Sequence, residues 1–160
     1  MAHTSIEYMI MVPVLILQIF LFPYVATAIM NTWENDRLDL QLENIAANLG
    51  SSVQQLYYTM NRELISSGSL TIQLYTPSRI VCSSGNYSYT IEVRNASAAS
   101  GYAQIMNITV SLFEGERTAS TIVTLGEDAA WDDASYISDN VSIVNATRTI
   151  DSIWLSFEEG

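Results

Sequence analysis

The sequence has no lysine, one cysteine, one histidine and three prolines in 160 residues. Cys82 has no second cysteine to pair with, so an intrachain disulfide is excluded. It lies in the apolar run Arg79-Ile80-Val81-Cys82, and a buried structural thiol is expected, since a reactive one needs a basic neighbourhood. With His3 as the sole imidazole, Ser/His/Asp sets and Cys/His zinc spacings are excluded, and no Gly-rich phosphate loop is present. The chain is therefore not expected to be an enzyme, and no cofactor or metal is expected. Six arginines stand against 17 acids, giving a net charge of −11. Nucleic acid is not an expected partner for such a chain, because its binding requires a basic surface that displaces counterions. Charge of either sign is also absent from residues 1–32, apart from Glu7.

Where charge is missing, a long apolar run takes its place. Tyr8 to Met30 is a stretch of 23 uncharged residues, interrupted mildly by Gln18 and Thr27. As a helix it reaches about 34 Å, enough to cross a bilayer core. It is too long for the apolar region of a secretory signal, and no basic residue precedes it. The following Glu34, Asp36, Arg37 and Asp39 are net acidic, which favours a cytoplasmic N-terminus with the remainder outside. Pro13 and Pro23 fall inside the run. Each removes a helical hydrogen bond, and within a membrane such breaks persist where a neighbouring helix or a local rearrangement re-satisfies the backbone. They read either as simple kinks in a lone anchor or as places where a packed helix bends.

The helical pattern continues past the apolar run. Leu38, Leu42, Ile45, Leu49, Val53, Leu56, Met60 and Leu64 recur every three or four residues, with Asp39, Gln41, Glu43, Asn48 and Gln54 between them. The helix is expected to end at Ser66-Ser67-Gly68, with Gly68 as a left-handed stop. Residues 3–32 thus read as an apolar transmembrane or filament-core helix and residues 33–67 as its amphipathic continuation.

From residue 68 to 160 the period becomes two. Leu70, Ile72 and Leu74 alternate; so do Tyr87, Tyr89, Ile91 and Val93 after the turn Ser84-Gly85-Asn86. Residues 102–113 and 118–125 flank Gly115-Glu116-Arg117, a hairpin signal. Residues 141–144 and 149–157 supply further strands. The expected fold class is α+β: a long hydrophobic helix followed by an all-β, sandwich-like head. The acids Glu127, Asp128, Asp132 and Asp133 lack the alternation of a calcium loop and are expected in a solvated loop.

Five Asn-X-Ser/Thr sequons begin at Asn86, Asn95, Asn107, Asn140 and Asn145, all in the head and none in the helix. This distribution predicts a head exposed outside the cell and glycosylated there. Glu7 sits at the start of the apolar run, where a carboxylate is costly in lipid. One account makes Thr4-Ser5-Ile6-Glu7 a capping box with Thr4 as N-cap.

The run His3-Thr4-Ser5-Ile6-Glu7-Tyr8 with the apolar span behind it also resembles the class III signal peptide of archaeal type IV pilins, whose motif is Gln-X-Ser-X-Glu-Tyr. His3 stands where that family usually has Gln. Gly85, Tyr87, Tyr89 and Ile91 are similar to a Gly/Tyr-rich strand of such pilins. The resemblance implies a leader of residues 1–2, cut between Ala2 and His3 by a prepilin peptidase, and Glu7 as an assembly acid that pairs with a neighbour's free amine. It further implies a helical filament of identical subunits, raised from the cytoplasmic membrane by pilus-assembly machinery, with Tyr8, Pro13 and Pro23 in the packed helix. A glycosylated outer head serving adhesion at the cell surface would follow. The alternative is a single-pass minor pilin, archaellum-base component or adhesion protein that does not polymerise.

Overall fold

The computed structural model describes residues 2–62, 65–83, 85–96, 104–113, 115–138 and 142–159; the side chains of residues 2–8, 142 and 159 fall outside that description. The fold is one long, initially apolar N-terminal helix followed by a β-rich region. Helix α1 runs Ala2–Met60. Ten strands are described after it: β1 (Gly68–Gln73), β2 (Ile80–Cys82), β3 (Gly85–Tyr87), β4 (Tyr89–Asn95), β5 (Gln104–Leu112), β6 (Thr118–Leu125), β7 (Ala129–Trp131), β8 (Ala134–Ile137), β9 (Ser142–Arg148) and β10 (Ile153–Glu159). The chain divides into two compact units, Met1–Arg37 and Leu38–Gly160.

The second unit contains two four-stranded sheets, ordered β1-β9-β10-β7 and β6-β5-β4-β8, and the small β2-β3 hairpin. Pairing is antiparallel except between β10 and β7. Strand alternation sorts the side chains. On β5, Met106, Ile108, Val110 and Leu112 are buried while the residues between them are half-buried. Val144 and Ala146 on β9 and Ile153 and Leu155 on β10 do the same for the other sheet. These inward rows join the helix stripe Leu38, Leu42, Ile45, Leu49, Val53, Leu56 and Met60 in one hydrophobic cluster. The amphipathic part of α1 is thus a wall of the head's core. Burying each large side chain contributes roughly 1.5–3 kcal/mol.

Two features let the helix lie close. Gly50 faces β6, where an added Cβ would stand 3.0 Å from Thr121 Cγ2 and 3.1 Å from Val123 Cγ2. Tyr57, outside the expected stripe, is buried; its hydroxyl donates to Asp128 Oδ1 at 2.5 Å and accepts from Asn61 Nδ2 at 3.0 Å. Burial, with the bond and charge of Asp128 next, pushes the Tyr57 phenol up to about 12. At the other end of this segment, Arg117 before β6 pairs with Asp39 at 2.6 Å.

Several expectations change. The helix begins at Ala2, so Thr4 and Glu7 lie within it and Thr4 is not its N-cap. It ends at Met60, short of the expected stop; Gly68 opens β1 and shows no left-handed φ. A tertiary contact serves that helix end instead. The Arg148 guanidinium of β9 donates to the Met60 carbonyl and, at 3.1 Å, to the Arg62 carbonyl, two groups without helical partners. Leu64 lies outside the described residues. The expected acidic loop is interrupted by β7, and its members disperse: Asp128 holds Tyr57, while Asp133 Oδ1 accepts the Asn95 N–H at 2.8 Å. Cys82 is half-buried against the core, not fully enclosed. Of the expected turn Ser84-Gly85-Asn86, Gly85 and Asn86 instead belong to β3, paired with Cys82 and Val81, and Ser84 lies outside the described residues; Gly85 has φ +150°, which favours glycine. The hairpin around Gly115-Glu116-Arg117 joins β5 and β6 in the register Ser111↔Thr118.

Candidate functional site

The first unit offers a surface that water does not tolerate. Along the helix from Met9 to Trp33 the large apolar side chains are exposed on every side, among them Met9 at 80%, Phe22 at 77% and Trp33 at 71%. An amphipathic helix would expose one stripe; this segment has no polar face to turn outward. Length and composition suffice for a membrane crossing.

Two threonine hydroxyls on this part of the helix bond to its own backbone. Thr27 Oγ1 donates to the Pro23 carbonyl at 2.8 Å, and Thr32 Oγ1 to the Ala28 carbonyl at 3.0 Å. Folding the hydroxyls onto the backbone leaves methyl groups facing out. The prolines act in the other direction. Neither interrupts the helix, yet each lacks the N–H that would serve the carbonyl four residues earlier, on Met9 and Ile19. Shallow apolar grooves flank them, one bordered by Pro13, Leu17 and Phe20, the other by Gln18, Phe22 and Pro23. Gln18 is the one amide side chain between Tyr8 and Met30.

Ala2, His3, Glu7 and Tyr8, the residues tied to processing and assembly, lie on the helix backbone, and their side chains are outside the described residues. The sequons divide. Asn86 on β3 and Asn95 at the end of β4 are exposed; Asn107 on β5 and Asn145 on β9 are half-buried in interior strands; Asn140 lies outside the described residues. Asn107 is flanked by buried Met106 and Ile108, and Asn145 by buried Val144 and Ala146, so strand alternation turns both asparagines to the outer faces of their sheets. Thr109 and Thr147 follow on the same faces.

Among the described residues, no three His, Cys, Asp or Glu side chains gather in the way a metal ion requires. The contributions of Gly50, Tyr57 and Arg148 were not evident from sequence, because each depends on a partner at least about 70 residues away in the chain. Comparison with protein-family models, with curated proteins and with solved structures yields no match for this chain.

Proposed function

We propose that the chain is a structural subunit of a surface filament of the archaeal type IV pilus kind, assembled through the apolar part of α1, with a sandwich-like β head forming a glycosylated outer wall used in adhesion. The observation that carries this reading is the double life of α1: one helix is oily and uncovered over residues 9–33, then enters a packed core from Leu38 onward. The Ser5-X-Glu7-Tyr8 sequence in front of the span supports the same reading.

Before assembly the span rests in the cytoplasmic membrane. Leaving lipid for a bundle of copies yields little hydrophobic gain, since acyl chains are as apolar as leucine. Close packing, interhelical hydrogen bonds and charge pairing must therefore drive association. Glu7 is the charge such a bundle would pair, with a neighbour's amine released by cleavage before His3. The prolines leave backbone carbonyls that a neighbouring helix can serve.

All-round apolarity also suits a single-pass anchor that never polymerises, and one comparison separates the two. Electron microscopy of cells with and without the gene should show filaments lost with the gene. Glu7→Ala should preserve membrane insertion and lower filament yield, while mass spectrometry of filaments should find chains starting at His3. Undiminished filaments from Glu7→Ala, or filaments built of chains retaining Met1, would overturn the assembly role.

A further inference from the structure

Leu40, Tyr58, Tyr75, Phe113 and Ile150 are exposed outside the head's strands, whose outward faces carry few large apolar side chains. Within the described strands, four large apolar side chains are exposed: Val81, Ile122, Ile137 and Trp154. Three of them adjoin a sequon asparagine. Val81 is the direct cross-strand partner of Asn86, and Ile122 that of Asn107. Trp154 stands opposite Thr147, the acceptor-site threonine of the Asn145 sequon, and diagonal to Asn145 itself. Direct partners on one face have Cβ atoms about 4.5–5.5 Å apart, and diagonal ones about 7–8 Å, within reach of a side chain bearing a sugar.

These residues would otherwise be liabilities. Ile122 is 69% exposed on β6, an edge strand of its sheet, and exposed apolar edges invite pairing with other chains. The Asn107 Oδ1 beside it is buried without a hydrogen-bond partner. A pyranose ring has an apolar C–H face as well as hydroxyls. Laid over Ile122, Val81 or the Trp154 indole, it removes that surface from water while its hydroxyls meet the surrounding serines and threonines.

We propose that the N-linked oligosaccharides at Asn86, Asn107 and Asn145 lie back against the sheets, each covering the exposed apolar residue on the adjoining strand, and so act as an outer packing layer of the head. This deepens the glycosylated-head reading and rests on it. The sugar at Asn145 stacks on Trp154, 43% exposed in the bare protein.

Trp154 supplies the test. The full chain is purified from its own cells, and glycopeptides are mapped by mass spectrometry. Iodide quenching of the Trp154 fluorescence, isolated by subtracting the Trp154→Phe variant, is then compared between wild type, Thr147→Ser, which keeps the sequon, and Thr147→Ala and Asn145→Gln, which lose it. The proposal expects sugar on Asn145 in wild type and Thr147→Ser. It expects stronger quenching and a red-shifted Trp154 emission in both sequon-less variants, with an unchanged far-ultraviolet spectrum. Sugar present on Asn145 with Trp154 equally quenchable in all four chains would overturn the packing role alone and leave an outward-projecting glycan. An unmodified Asn145 would overturn the proposal at this site, and unmodified asparagine at every sequon would also sink the glycosylated-head reading.

Discussion

Residues 9–33 and residues 38–60 belong to the same helix and meet opposite fates. In the first stretch nearly every apolar side chain is exposed; in the second, Leu42 is fully buried and the stripe around it is nearly so. The second stretch gains its place from spacing, because apolar residues recur on one face and Asp39, Glu43 and Asn48 take the exposed one. The first stretch has no such face: its large apolar side chains are spread over every side of the helix. By length and composition this stretch could cross a membrane.

Substitution can break this comparison. Leu42→Ala should destabilise the head by about 2–5 kcal/mol, read as a lower denaturant midpoint, whereas Leu17→Ala should leave that midpoint in place. Equal effects would show that the two stretches are not energetically separate. Next in size, Gly50→Leu should cost about 1–3 kcal/mol by forcing α1 off Thr121 and Val123, a loss visible in thermal unfolding.

A smaller effect concerns Tyr57. Its phenol titrates higher in the fold than the ordinary value of 10.0, at about 12, so the folded state prefers the neutral form. That preference stabilises the head fully below about pH 10 and is lost as pH rises toward about 12. Burial raises the Tyr89 phenol in the same direction. Tyr57→Phe should cost about 1 kcal/mol at neutral pH, by removing the bond to Asp128, and should flatten the alkaline loss measured by denaturation across that pH window. Smallest of all, Arg117→Ala removes a partly exposed pair with Asp39. It should cost no more than about 1 kcal/mol, and the difference should shrink further in high salt.

Much of the head-bound helix was legible because helical periodicity is a local signal carried by Leu38 through Met60. Its end was not. Residues 61–67 contain nothing that forbids a further turn, and the group that serves the final carbonyls, Arg148, lies on β9 far along the chain. The strands with sustained alternation, β4, β5 and β6, were readable for the same local reason. By contrast β7 and β8, three and four residues long, are too short to display a period, and the acids around them suggested solvent. What holds β7 is parallel pairing with β10, which no nearby residue announces. Of the candidate site, the apolar span and its prolines were visible in composition. The relation of sequons to Val81, Ile122 and Trp154 requires strand register, which a single sequence does not supply.

The path of the chain between residues 118 and 148 has a further consequence. Strand β6 belongs to one sheet, β7 to the other, β8 to the first again and β9 to the second. This back-and-forth lacing means that neither sheet can peel away while its counterpart stays intact. The head should therefore melt in a single all-or-none step, and a protease that nicks one strand should find no independently folded half to release.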